Sequence, residues 1–137
     1  MKKYSLEITE QHVPALLKAL EFYTRFKMGQ FHIIFEDFHE LSWDDRQSIH
    51  RYIRQFVFSD MHPNASLGVF SPELSEDAKI SHDIRQAIEY IYSWDMAGKT
   101  PGKDRRNFND MTGVRFDEPM KCSDTNLPVM KKVTDDD

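Results

Sequence analysis

A single cysteine, Cys122, stands in a chain of 137 residues, so no internal disulfide framework staples it and a reducing compartment suits it. No apolar run approaches the length of a membrane span, and the opening MKKYSLEITE carries two lysines without the apolar stretch of a secretory signal. The expectation is a cytoplasmic protein with no membrane partner. Positive charge is also in deficit: 18 basic against 23 acidic residues give a formal net charge of −5. That balance disfavours non-specific binding to double-stranded nucleic acid, which depends on neutralising many phosphates. Catalytic signatures are missing as well. There is no nucleophile elbow GxSxG and no phosphate loop GxxxxGK[ST], and Cys122 has no neighbouring motif. The paired acids Asp44 and Asp45 read as helix-start charges, so an enzyme is not expected.

What the chain does have is aromatic bulk in a polar background. Ten phenylalanines and 12% aromatic residues sit beside 30% charged residues, enough apolar area for one core and one domain spanning 1–137. The organising stretch is Pro14 to Phe38, read as two amphipathic helices meeting at Gly29. Leu16, Leu20 and Tyr23 form one apolar row, and Ala15, Ala19, Phe22 and Phe26 form a second beside it. Phe31, Ile34, Phe35 and Phe38 repeat the spacing beyond the glycine. Two adjoining rows are wider than a short surface helix needs, so the element is expected to meet a second subunit as well as the core.

Elsewhere, Tyr4, Leu6 and Ile8 alternate with Ser5 and Glu7, the period of a half-buried strand. Thr9 is positioned to cap the following helix, with Pro14 in or near its first turn. Ser42 and Asp45 make a variant capping box for a helix running to about Phe58, whose buried side is expected to be Ile49, Tyr52, Ile53 and Phe56. Residues 60–74 read as a loop. Ser75, followed by Glu76 and Asp77, opens the clearest helix, with Ile80, Ile84, Ala87, Ile88 and Ile91 as its inner stripe and Gly98 as its stop. Residues 99–112 read as a mobile loop. Val114 and Phe116 alternate with Arg115 and Asp117, a further extended piece is expected at Val129 to Val133, and residues 134–137 read as a frayed acidic end. The expected fold class is therefore α+β: mainly helical, about four helices, with a small antiparallel sheet from N- and C-terminal strands.

Three groupings carry possible chemistry. His32, Glu36 and His39 fall at i, i+4 and i+7, which outlines a metal-ligand set, yet a solvated polar helix face explains them as well; no metal or other cofactor is expected. His12, His50, His62 and His82 join no ligand pattern. Lys99, Lys103, Arg105 and Arg106 precede Asn107 and Phe108: guanidinium groups hold phosphate, an amide reads a base edge and a ring stacks on a base. A hydrated charged loop is the plain alternative. Tyr90, Tyr92, Trp94 and Asp95 end the last helix just before that loop. Rings with a carboxylate can sandwich a purine and accept from its amine or a ribose hydroxyl, though aromatics at such positions often close a core.

The strings ALEFYTRFKMGQF, IEYIYSWD and GVRFDEPMK resemble small proteins encoded by tailed bacteriophages, and within that set the chain is similar to the Thoeris anti-defence sponge proteins. The resemblance runs from about Leu16 to Lys121. It implies a phage protein in the host cytoplasm that binds and sequesters a cyclic nucleotide immune signal, a cyclic ADP-ribose isomer, as a symmetric homo-oligomer and without cleaving it. DRRNFND is an insertion relative to the shorter pattern, in which a Gly-rich turn links WD to FDEP. On this reading Tyr92 or Trp94 stacks. Asp95 takes a ribose or base contact, and Arg105, Arg106 or Arg115 the pyrophosphate, beside the base-edge and stacking groups of Asn107 and Phe108 that the loop itself offers. Arg115 and Phe116 alternate along one extended piece, so only one of them faces a given pocket. The runners-up are a phage factor that masks a host protein and a metal-binding helical protein.

Overall fold

The computed structural model describes residues 1–36, 38, 40–62, 65–105 and 117–134. Its regular elements, in chain order, are α1 (His12–Lys27), a 3₁₀ turn (Phe31–Phe35), α2 (Trp43–Val57) and α3 (Glu76–Met96). Among the described residues there is no strand, so the expected α+β architecture gives way to an all-helical one, with three helices and a 3₁₀ turn in place of about four helices and a sheet. The reason is a missing partner. Tyr4 and Leu6 are 91% and 78% exposed, so their alternation meets no second strand, and residues 129–133 are irregular. Residues 6–10 and 130–133 do reach the same groove beside α3, but no backbone ladder joins them among the described residues. Val114, Arg115 and Phe116 lie outside the described residues.

Local signals place the helix ends. The Ser42 hydroxyl accepts from the Asp45 N–H at 3.1 Å and the Ser75 hydroxyl from the Ala78 N–H at 3.4 Å, each closing one free donor of a first turn. α1 starts differently: Gln11 holds the cap position with no side-chain bond, and Thr9 instead pairs its hydroxyl with His12 Nδ1 at 3.0 Å. Pro14 sits in the first turn, where its missing N–H costs nothing. At the other end Gly29 adopts φ +84°, and a Cβ there would stand 2.9 Å from Arg54 Nη1 and 3.0 Å from the Phe58 ring. Only glycine allows both the left-handed turn and this close approach. The chain therefore re-enters as a 3₁₀ turn rather than a second α-helix. That changes which side chains go inward: Phe31, Ile33 and Phe35 are buried, while Phe38 is 61% exposed.

α1 and α3 pack along their length. Small polar side chains let them approach: Thr24 Oγ1 donates to Leu20 O and Ala78 O, and Ser81 Oγ donates across to Leu20 O at 3.0 Å. A second packing centre is the Phe31 ring, 1% exposed, which meets Phe26 edge-on at 5.2 Å and lies 6.0 Å from Phe58 and 6.1 Å from His50. Leu67, Leu74 and Ala78, backed by Met28, Phe58 and Met61, complete it.

Among the described residues α2 packs on the 3₁₀ turn and on neither α1 nor α3, so this centre is its main attachment. Its inward face is polar. Arg54, 3% exposed, donates from Nη1 to Gly29 O and from Nη2 to His62 O, with its guanidinium 5.3 Å from the Phe58 ring centre. The expected buried side is thus turned outward: Tyr52 and Phe56 are 63% and 71% exposed, Ile49 is exposed and Ile53 only half-buried. The second α1 row, Ala15, Ala19, Phe22 and Phe26, is exposed too.

Candidate functional site

The expected ligand-binding residues separate at the C-terminal end of α3. Tyr92 and Asp95 are three apart, so one helix face carries both, and both line a groove of about 210 Å³ between α3, residues 6–10 and residues 130–133. Trp94 points the other way into the interior and is 8% exposed, which removes it as a stacking surface. Arg105 is exposed and is not among the residues that line this groove. Arg106, Asn107, Phe108, Arg115 and Phe116 lie outside the described residues.

The cations that meet the groove are different ones. Lys131 and Lys132 line it, and Lys132 Nζ bonds Asp95 Oδ1 at 2.6 Å. That hydrogen bond and the carboxylate charge raise the Lys132 pKa above the ordinary lysine value. A second groove of about 360 Å³ begins on the far side of this pair, lined by Lys99, Thr100, Gly98 and Pro101, and shares Ile91, Asp95 and Lys132 with the first. The pair therefore separates two neighbouring hollows. Sequence reading missed Lys131 and Lys132 because they were absorbed into an expected strand; a Lys-Lys step within an apolar extended piece was the available signal.

Among the described residues His32 and Glu36 are joined by no third metal ligand. His39 lies outside the described residues, and the 3₁₀ winding of Phe31–Phe35 removes the α-helical spacing on which the set depended. His32 instead sets its ring 5.7 Å from that of His50. Burial, then the charges of His32, Arg54 and Arg51, hold the His50 pKa below its usual value.

A separate cluster joins α3 to the C-terminal segment. The Asp83 carboxylate, 1% exposed, accepts from the Cys122 N–H (2.8 Å, at Oδ1), the Ser123 N–H (3.1 Å) and the Ser123 hydroxyl (2.5 Å, both at Oδ2). Burial pushes its pKa up, but these hydrogen bonds prevail and hold it below the usual carboxylate value. Cys122 Sγ lies 3.3 Å from His82 Nδ1. Burial and the neighbouring Asp83 push the thiol up to about 12, so in this state it is not a nucleophile at neutral pH. The Asp124 N–H adds a 2.6 Å bond to the Glu76 carboxylate at the start of α3.

No protein-family model matches the chain, and neither the curated proteins nor the solved structures searched give a match. No helix among the described residues is long and apolar enough to cross a membrane.

Proposed function

We propose that the protein is a binding module for a compact, phosphorylated, nucleotide-derived molecule, which it holds without cleaving. The observation that carries this reading is the meeting of Tyr92, Asp95, Lys99, Lys131 and Lys132 around two adjoining grooves. A half-buried ring offers a stacking face, a carboxylate takes a hydroxyl or amine, and three ammonium groups attract phosphate. The Asp95–Lys132 bond is exposed and so is weak as an ion pair. A phosphate that draws Lys132 away opens the barrier between the hollows, whose smaller member falls below the roughly 300 Å³ at which ligand sites begin. The resemblance to Thoeris anti-defence sponges names the ligand class, a cyclic ADP-ribose isomer, and the role, a phage factor that removes an immune signal in the host cytoplasm.

The test is titration calorimetry of purified protein against cyclic ADP-ribose isomers and linear ADP-ribose, with mass spectrometry of the ligand recovered after heat denaturation. Expected are binding, recovery of intact ligand, and about tenfold weaker binding in Tyr92→Ala and in Lys132→Ala, the loss of one stacking or charged contact. Flat titrations across the panel overturn the reading; recovery of fragments replaces it with an enzyme.

The homo-oligomer has its own support, in the outward face of α2 beside the exposed row of α1. Ile49, Tyr52, Ile53 and Phe56 follow a 3-1-3 spacing that reads the same in both directions, so a two-fold axis pairs Ile49 with Phe56 and Tyr52 with Ile53 of a second copy. With Val57, 60% exposed, the outward stripe leaves on the order of 400 Å² of apolar side chain in water. That is the apolar centre of the roughly 800 Å² each partner gives a standard interface. Native mass spectrometry is expected to show a dimer or a multiple of it, and Tyr52→Glu with Phe56→Glu is expected to give monomers of unchanged helicity. A wild-type monomer refutes this; one that captures a host protein through the stripe supports the masking factor instead.

A further inference from the structure

The cluster between α3 and the C-terminal segment has the donor atoms and spacing of a metal centre. We propose that His82 Nδ1, Asp83 Oδ1 and Cys122 Sγ form a three-ligand site for a borderline-soft divalent cation of the zinc class, distinct from the grooves at the end of α3.

Geometry comes first. Sγ to Nδ1 is 3.3 Å, Nδ1 to Oδ1 is 3.5 Å, and all three ligand atoms lie within 4.8 Å of one another. Zinc bonds of about 2.0–2.3 Å in a tetrahedron place neighbouring ligand atoms roughly 3.3–3.6 Å apart. Two of the three separations meet that range and the third is at most 4.8 Å, so side-chain adjustment closes the three atoms around one cation. The donor set of one sulfur, one imidazole nitrogen and one carboxylate oxygen selects zinc or cobalt over magnesium or calcium, which demand oxygen ligands.

The surrounding hydrogen bonds orient each ligand. Asp83 Oδ2 is engaged twice by Ser123, whereas among the described residues Oδ1 accepts from one backbone donor, the Cys122 N–H, and a carboxylate oxygen has a second lone pair to offer a metal. On the other side of the imidazole, His82 Nε2 lies 3.3 Å from the amide of Gln86, a residue 1% exposed whose Oε1 is buried without a hydrogen-bond partner. The two ends of a glutamine amide are assigned by their bonding, and turning this one places Oε1 on the Nε2–H. That tautomer leaves the Nδ1 lone pair directed at Sγ and Oδ1. Histidine ligands are characteristically held in this way through the second ring nitrogen.

On binding, the Cys122 S–H bond breaks, its proton goes to solvent, and the thiolate sulfur bonds the cation. A dication with one thiolate, one carboxylate and one neutral imidazole is neutral overall, the arrangement that a buried site tolerates. The cation would fasten the segment bearing Cys122 and Ser123 to the middle of α3.

The test uses the full chain, purified under reducing conditions, stripped with a chelator and titrated with Co²⁺. Expected are one Co²⁺ per chain, the visible bands of tetrahedral cobalt, a sulfur-to-cobalt charge-transfer band, and displacement of all of these by Zn²⁺ with a rise in Tm. In Cys122→Ser the charge-transfer band disappears and Co²⁺ binds at least tenfold more weakly. Absence of cobalt bands in the wild type overturns the proposal, as does an unchanged spectrum in Cys122→Ser. Should that variant fail to fold, competition between wild-type protein and a chromophoric chelator for Zn²⁺ decides: no zinc retained against micromolar chelator refutes the site.

Discussion

Phe31→Ala is expected to cost about 3–5 kcal/mol of folding stability, the usual range for deleting a fully buried ring. The ring is 1% exposed and contacts Phe26 of α1, His50 of α2 and Phe58 after it. Few domains of this size hold more than 5–15 kcal/mol in total, so the loss is a large share of the whole. Its distribution is the sharper prediction. Among the described residues α2 packs on the 3₁₀ turn and on no other helix, so removing the ring that joins them loosens α2 well before α1 and α3 separate. Urea denaturation gives the total, and hydrogen exchange gives the pattern. Protection is expected to fall first across 43–57, with the α1–α3 pair retaining most of its own. A loss below 1 kcal/mol, or uniform loss of protection, would show that Phe31 is not the attachment point.

The parts of the fold that the sequence made legible are those decided within a few residues. Ser42 and Ser75 cap because a hydroxyl three residues before a free N–H has little else to reach, and Gly29 and Gly98 turn because their φ of +84° and +67° suits only glycine. What failed was inference from periodicity to burial. The row Ile49, Tyr52, Ile53 and Phe56 shows that α2 has an apolar face, but nothing in its spacing says which surface covers that face. The structure turns Arg54 inward instead, with the His50 ring against Phe31, because Gly29 O and His62 O supply acceptors for a buried guanidinium. The alternation of Tyr4, Leu6 and Ile8 misled in the same way, since a strand pattern is realised only beside another strand.

The site was legible in part for a related reason. Helical spacing alone separates Tyr92 from Trp94, two residues apart and therefore on different faces, and joins Tyr92 to Asp95. It could not bring in Lys131 and Lys132, which reach the groove through tertiary folding, Lys132 bonding Asp95 from 37 positions along the chain. Nor could it find His82, Asp83 and Cys122. An adjacent His-Asp pair on a helix has no ligand motif, and its third member comes from a separation of 40 residues.

Asp83→Ala is the second large effect, expected at roughly 3–5 kcal/mol in chelator-treated protein, because it leaves two backbone N–H groups and the Ser123 hydroxyl without their shared acceptor. Charge-assisted bonds to a buried carboxylate lie at the strong end of the range. The Asp83 pKa is held below its ordinary 3.8, so its contribution is fully present above that value and is lost as pH falls through the lower, folded pKa. Wild-type stability should therefore decline on acidification below pH 4 more steeply than that of the Ala variant, which has no such carboxyl to protonate. Limited proteolysis gives a positional readout: cleavage within 117–134 is expected to accelerate at neutral pH in the variant while α3 stays intact. Equal acid sensitivity in the two proteins, with unchanged cleavage, would mean that the C-terminal segment is held by its other contacts, such as the Asp124 N–H on Glu76, and that Asp83 is not its anchor.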